Sequence, residues 1–406
     1  MQVLSLICCA CFALAWAQDF TQRGFFELRT YLYPQTAPGD SGRVVSEAVL
    51  RWEVSRKLTS GLRIYAEAEA RTDTHRQTER LWRANFLDRR LQRPAFSLRR
   101  LSAIYHRGSW TIEAGKQFIR WGKADILNPT DRFAPRDFIN VADSEFLGVT
   151  AVRLTYERNS NSLDVVWQPV FTPSRAPLIN QRWTVIPREL SNFQLVDGGY
   201  RIPGGAQWGA RFNHRGLGWE GALTFYEGHN HLPLLDSRLV QPTVVQFARF
   251  YPHLRQYGAD VAVPLRWFTM KGEAAWQGSR TASADEFILW VAQAERQVGE
   301  LSLVAGYAGE VVTARRNPLR FAPDRGLARA FLARAGYTLS ANSSVAVEMV
   351  ARQNGEGAWA QGEYSRALGQ HWRITARAAL IRGQSTDFLG QYRRNSHALL
   401  ILRYSF

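Results

Sequence analysis

Beyond its first seventeen residues the chain has no cysteine, since Cys8, Cys9 and Cys11 all fall within 1–17. The remainder therefore contains no disulfide, no zinc-thiolate site and no cysteine nucleophile. After Ala17 no apolar run approaches the roughly 20 residues that a spanning helix requires, which excludes a helical membrane protein. Helical periodicity is nearly absent as well. Lysine is confined to Lys57, Lys116, Lys123 and Lys271, so the excess of 51 basic over 35 acidic residues, a net charge of +16, is an arginine excess. It is spread along the whole chain with no compact basic module. That distribution argues against a nucleic-acid partner and for an anionic surface or solute, with lipopolysaccharide, acidic polysaccharide and small anions all qualifying.

Residues 1–17, MQVLSLICCACFALAWA, are uncharged and mostly apolar and end in Ala15-Trp16-Ala17, a small-x-small pattern. They read as a signal peptide cleaved near Ala17, before Gln18. A lipoprotein reading lacks the small residue pair that would precede the modified cysteine. Residues 18–406 are expected to form one domain.

From about Gly24 onward, segments of 9 to 13 residues alternate with period two, separated by Gly, Asn, Asp, Ser and Pro clusters. In one of them, Leu62, Ile64, Ala66, Ala68 and Ala70 share a face opposite Arg63, Tyr65, Glu67, Glu69 and Arg71. No soluble sandwich buries that second face, so water must lie against it. Trp372, Ile374, Ala376, Ala378 and Leu380 oppose Arg373, Thr375 and Arg377 in the same way. Many such segments in succession predict an all-β fold: a transmembrane antiparallel up-and-down β-barrel, apolar outside and polar inside, closed because hydrocarbon leaves an unpaired strand edge unsatisfied. The segments fall at about 23–33, 44–56, 61–72, 98–107, 110–120, 148–158, 162–170, 206–214, 217–228, 254–264, 267–278, 286–295, 298–310, 327–338, 343–353, 356–366, 371–383 and 394–406. That gives 18 strands, with 16 as the lower bound. The chain closes on Ala398, Leu400, Leu402, Tyr404 and Phe406, one alternating face with a terminal aromatic, which resembles the strand that outer-membrane assembly machinery reads on its clients. Trp52, Trp110, Tyr156, Trp167, Trp219, Trp276, Tyr307 and Tyr337 stand near segment ends and suit interfacial aromatic girdles.

Gly115 to Phe138, GKQFIRWGKADILNPTDRFAPRDF, begins as a strand and runs into a loop, about 120–147, far longer than a hairpin needs. Such a loop covers a pore mouth or folds inward as a constriction or plug, with Lys116, Gln117, Arg120, Trp121, Lys123, Asp125, Asn128 and Asp131 as its candidate residues. The run Gly115-Lys116-Gln117, then Trp121-Gly122, then Asn128-Pro129 and Asp131 resembles the alginate-export type of outer-membrane barrel. The resemblance covers about 40 residues. It implies an 18-stranded barrel whose arginine-rich pore conducts an anionic polysaccharide.

Alternation alone nominates Arg29, Arg51, Arg63, Arg71, Arg100, Arg153, Arg211, Arg373, Arg377 and Arg403 for the lumen. Rings of guanidinium would lower the barrier for a polyuronate or organic acid. The competing role is bracing of the wall against inward Glu47, Glu53, Glu67, Glu69, Glu113, Glu157 and Glu348. Asp125, Asp131 and Asp137 recur every six residues, an interval that matches no calcium loop, and nearby arginines suit them as salt-bridged turn residues. Glu227-Gly228-His229-Asn230-His231 lacks partner ligands and reads as an exposed hairpin turn. No serine–histidine or paired-carboxylate pattern marks an enzyme, and no metal or cofactor is expected. Three readings remain: a channel for anionic solutes, a plugged barrel that binds glycan at the surface, and a hydrolase at the rim.

Overall fold

The computed structural model describes residues 19–81, 83–185, 192–317 and 322–406. The leader 1–17 and its cleavage point lie outside these residues.

Eighteen antiparallel strands form one closed sheet. In chain order they are β1 Phe20–Leu32, β2 Val44–Lys57, β3 Leu62–Asp73, β4 Phe96–Arg107, β5 Trp110–Gln117, β6 Val149–Arg158, β7 Asn161–Gln168, β8 Gln207–Gly216 and β9 Trp219–His229. They continue as β10 His253–Pro264, β11 Thr269–Gly278, β12 Glu286–Val298, β13 Leu301–Ala314, β14 Ala330–Ser340, β15 Ser343–Arg352, β16 Gly357–Leu368, β17 Trp372–Gly383 and β18 His397–Ser405. Each coincides with one of the segments expected from alternation. Every strand pairs with its chain neighbours, and β1 pairs with β18 from Phe25↔Ser405 to Leu32↔Ala398 to shut the sheet. Closure leaves no edge for hydrocarbon to strand.

The two faces separate as the alternation requires. Outward go Phe26, Leu28, Leu50, Trp52, Leu101, Leu223 and Leu400, all exposed, whereas Glu27, Arg29, Glu47, Glu69 and Arg71 are buried inside. Soluble proteins rarely leave so much contiguous apolar surface open, and here these side chains form the lipid-facing belt. Aromatic rings edge it. At one end Trp110 lies 4.4 Å from Tyr156 and Trp372 5.0 Å from Tyr404. At the other, Trp208, Phe225, Tyr257 and Trp276 form a ladder with centroid spacings of 4.7, 5.2 and 5.9 Å.

The ends of the barrel differ. One carries short turns such as 108–109, 159–160 and 217–218, where Asn159 (φ 53°) and Gly218 (φ 76°) supply the positive φ that a two-residue hairpin needs. The other carries the long connections 33–43, 74–95, 118–148, 169–206 and 230–252. Beyond the expected loops, Gln194–Arg201, Leu234–Gln241 and Val244–Phe250 form a separate three-stranded sheet at this end, Gln194–Arg201 running parallel to its neighbour. Alternation in these short segments resembles loop composition, and only the pairing reveals them.

Phe406 continues the seam: its amide and carbonyl exchange hydrogen bonds of 3.0 and 2.9 Å with Gly24. Its ring covers Gly24, where a Cβ would meet the Phe406 ring at 2.6 Å and the Arg51 carbonyl at 2.7 Å. Gly24→Val is expected to open this seam at a cost of about 1–3 kcal/mol, read as a lower temperature for loss of the fast-migrating folded band in unboiled gel electrophoresis.

Candidate functional site

The lumen is the site, and it is built by one charged wall and three loops. Along β1–β4 the inward positions hold Arg29, Arg51 and Arg71 beside Glu27, Glu47, Glu67 and Glu69. β4 adds two more. Its pairing passes from Glu67↔Arg100 to Ala68↔Leu98, leaving Arg99 as an extra residue, and this bulge turns both Arg99 and Arg100 inward. Arg99 donates to Glu67 at 2.9 Å, and Arg100 donates to Glu113 at 2.9 Å across a Tyr65 ring 4.5 Å away. Strict alternation points one of the two outward, so Arg99 escapes a sequence reading.

Residues 118–148 fold inward. Glu145 reaches Arg29 (3.0 Å), Arg51 (2.7 Å), Arg71 (3.2 Å) and Arg99 (3.1 Å), so one loop carboxylate joins four guanidiniums from four adjacent strands. Burial penalises its charge, yet Arg71, Arg29, Arg99 and Arg51 outweigh that and hold it well below the usual carboxylate range. Asp143 accepts from Tyr31 at 2.8 Å and pairs with Arg377 at 3.3 Å. On the opposite wall Glu273 of β11 accepts from the amides of Lys123 (3.0 Å), Ala124 (3.1 Å) and Thr130 (2.7 Å) and from the Thr130 hydroxyl (2.8 Å). The loop thus crosses the lumen and is held on both sides.

Two further loops lock onto it. Arg93 of 74–95 pairs with Glu47 (2.8 Å) and Asp137 (3.0 Å), and Arg175 of 169–206 pairs with Asp137 (3.1 Å) and Asp88 (2.5 Å). Burial raises the cost of the Asp137 charge, but Arg93 and Arg175 keep its carboxyl below the ordinary value. Next to these, Trp183 is buried against Tyr31, Tyr33, Ile381, Tyr392 and Leu399.

The motif carried by 115–131 turns out to fold the inward loop. Asp131 accepts from the amides of Trp121 (2.5 Å) and Gly122 (2.7 Å), and the Asn128 amide donates to the Ala124 carbonyl. A Cβ on Gly122 would meet Asn128 at 2.6 Å. The Trp121 indole donates to Asp164 (2.9 Å), Gln117 to the Ala151 carbonyl (3.0 Å), and Lys116 to Asp88. Lys123 pairs with Glu220 (2.9 Å) and Asp260 (3.3 Å), and Asp125 with Lys271 (3.2 Å). Arg120, half-exposed, lies 4.4 Å from the Phe146 ring, whose centroid also has Arg136 at 4.0 Å. Asp125, Asp131 and Asp137 therefore serve three separate sets of partners.

Of the ten arginines nominated for the lumen, eight are braced by carboxylates. Arg153 pairs with Asp164 (2.7 Å), Arg211 with Asp260 (2.6 Å), Arg377 with Glu363 (2.5 Å) and Arg403 with Glu27 (2.5 Å), alongside Arg29, Arg51, Arg71 and Arg100. Arg63 and Arg373 have no carboxylate within 4 Å among the described residues, and bond instead to the Tyr65 hydroxyl and the Ser365 hydroxyl at 3.0 Å each. Arg334, missed by alternation in a poorly patterned segment, also faces inward; Glu348 stands opposite it in register but forms no ion pair within 4 Å.

The expectation of an exposed turn at Glu227–His231 is corrected. His229 ends β9, and His231 is buried, stacked 5.3 Å from Phe171, with its two nitrogens 2.6 and 2.7 Å from the carbonyls of Thr172 and Arg132. It ties loop 169–206 to loop 118–148, a tertiary role that a local reading of the pentapeptide does not contain.

Glu145→Ala removes the carboxylate shared by four guanidiniums, each of which keeps a wall glutamate, and is expected to destabilise the loop anchor by about 1.5–3 kcal/mol, seen as faster hydrogen exchange across 136–147 with the strand amides unchanged. Depressed carboxylates stabilise above the ordinary carboxylate range and lose that contribution as pH falls through their lowered values. Exchange in 136–147, corrected for intrinsic rate, should accordingly stay slow at pH 5 and accelerate only below about pH 4.

No protein-family model and no curated protein sequence matches the chain. Solved structures do. A BenF-like porin from Pseudomonas fluorescens Pf-5 superposes with a TM-score of 0.56 and 9% identity over 96% of this chain and 97% of its own. OccAB4 of Acinetobacter baumannii gives 0.55 at 9% identity over 96% and 99%. OccK5 (OpdH) of Pseudomonas aeruginosa gives 0.54 at 9% identity over 96% and 98%. At such identities the likeness is one of architecture, and the chain has the fold of these porins.

Proposed function

We propose that the protein is an outer-membrane channel that passes anionic solutes along an arginine-lined wall. The short turns then face the periplasm and the long loops the exterior. The observation that carries this reading is a like-charge pair. Arg373 of β17 and Arg403 of β18 stand directly opposite in register on the inner face, and only Arg403 has a carboxylate. Like charges placed so are destabilising, and a passing carboxylate removes the repulsion. Arg63, Arg334 and Arg377 face the same lumen from other positions of the wall, while Phe25 has Arg403 at 4.2 Å and Arg51 at 5.2 Å from its ring. A guanidinium beside an aromatic face suits a carboxylate carried on a ring or a short carbon chain. Small organic acids fit this description, and so do the uronate units of an acidic polysaccharide, the class implied by the resemblance of 115–131 to alginate-export barrels.

A second reading is a plugged barrel that binds glycan at the surface, favoured by the crossing of the lumen by 118–148. Single-channel recording in planar bilayers separates the two. Anion-selective current under a salt gradient, reduced by added polyuronate or organic acid, supports the channel; a folded, inserted barrel without current supports the plug. For the channel, Arg334→Gln with Arg373→Gln is expected to move the reversal potential toward zero and lower the anion-to-cation permeability ratio severalfold. Arg153→Gln, braced by Asp164, should alter selectivity far less.

A further inference from the structure

The outer wall carries a second cationic feature, remote from the lumen. On the loop-end rim of β8–β11, the ladder Trp208–Phe225–Tyr257–Trp276 marks the depth of the membrane interface, with Trp208 and Tyr257 48% and 51% exposed. Two residues further along each strand, on the same outer face and so about 7 Å nearer the loop end, stand Glu227 and Arg255, paired in register, and beyond Gly278 stands Arg280. Glu227 accepts from Arg255 Nε at 2.5 Å and from His253 Nε2 at 2.9 Å, and lies 3.3 Å from Arg280. Arg316 joins the cluster by donating to the Ser279 carbonyl at 3.2 Å while pairing with Glu286 at 2.9 Å.

A single carboxylate thus orients Arg255 and Arg280 without using them up. The Arg255 Nη nitrogens, and Nε and Nη1 of Arg280, have no protein acceptor among the described residues, and these side chains are 38% and 70% exposed. Below the ladder, Ala259, Gly272 and Ala274 occupy outward positions of β10 and β11, flanked by Leu223 and Val261 at 65% and 41% exposure. A Cβ on Gly272 would touch only Val261, at 3.5 Å. The wall there is a shallow apolar trough leading up to the arginines. At the loop end of β1–β2 the outer face offers the paired, exposed Leu32 and Val44 instead.

We infer that this rim is a binding site for a phosphorylated lipid of the outer leaflet, its phosphate on Arg255, Arg280 and Arg316 and an acyl chain in the trough below. The inference rests on the outer-membrane reading but not on conductance. Guanidinium pairs with phosphate in a bidentate fashion, and basic side chains at headgroup depth attract anionic lipid. An interior cluster of equal charge would meet solutes, whereas this one faces the bilayer.

The test uses the full refolded chain in detergent, mixed with bisphosphorylated lipid A, with lipid A stripped of its phosphates, or with bisphosphorylated lipid A plus excess inorganic phosphate, and read by native mass spectrometry. The expected result is retention of the bisphosphorylated lipid, undiminished by inorganic phosphate, and a fall of at least about tenfold in Arg255→Gln/Arg280→Gln/Arg316→Gln. Arg255→Lys/Arg280→Lys, which keeps the charge but loses the bidentate fork, should retain binding between that of the unmodified chain and that of the glutamine variant. Equal retention by the glutamine variant, equal retention of the dephosphorylated lipid, or displacement by inorganic phosphate would overturn the assignment. Unchanged heat-modifiable mobility and unchanged bilayer current in the variants show that folding and the lumen are intact, which separates failure of this site from failure of the channel reading.

Discussion

Everything in this molecule depends on the closure of one sheet. A strand that crosses hydrocarbon leaves its backbone amides and carbonyls unsatisfied unless another strand takes them. Eighteen strands meet that demand when β1 meets β18, with the terminal Phe406 bonded to Gly24. Once the sheet is closed, the period-two alternation has only one outcome: apolar residues toward lipid, charged residues toward an enclosed aqueous space. The lumen is the geometric remainder of a backbone hydrogen-bonding problem.

That remainder concentrates charge. Arginines on β1–β4 would repel one another at such spacing, and the chain answers with inward glutamates and with a loop. Glu145 is the balancing charge for four strands, and Asp137 and Asp143 extend the balance to Arg93, Arg175 and Arg377. Isolated exposed ion pairs contribute little, but here each partner is largely removed from water and shared, so removing one carboxylate weakens several guanidiniums at once. Electrostatics thus fixes the constriction loop in place, and the same pairing decides which arginines stay open. Arg63 and Arg373 are open because no acidic side chain comes within ion-pair distance of them among the described residues, and Arg334 stands opposite Glu348 in register without closing an ion pair. The outer rim follows a different logic, with Glu227 orienting cations at the height where the bilayer offers phosphates.

The alternation of Leu62 to Arg71, repeated along the chain, determined the barrel, its strand number and the sorting of most lumen residues, because successive side chains of a regular strand point to opposite faces. The terminal aromatic face and the long loop after Gln117 were equally legible, as were Asp131 and Asn128 as members of a motif. Tertiary structure alone decided the rest. The bulge that turns Arg99 inward depends on a pairing register that sequence does not display. The short sheet over 194–201, 234–241 and 244–250 exists only through its pairing. Whether a given arginine braces the wall or faces solute depends on a carboxylate as far as 376 residues away in the chain, as for Arg403 and Glu27. Local sequence fixes which face a side chain takes; only the closed fold sets what stands opposite it, and charge is neutralised across space.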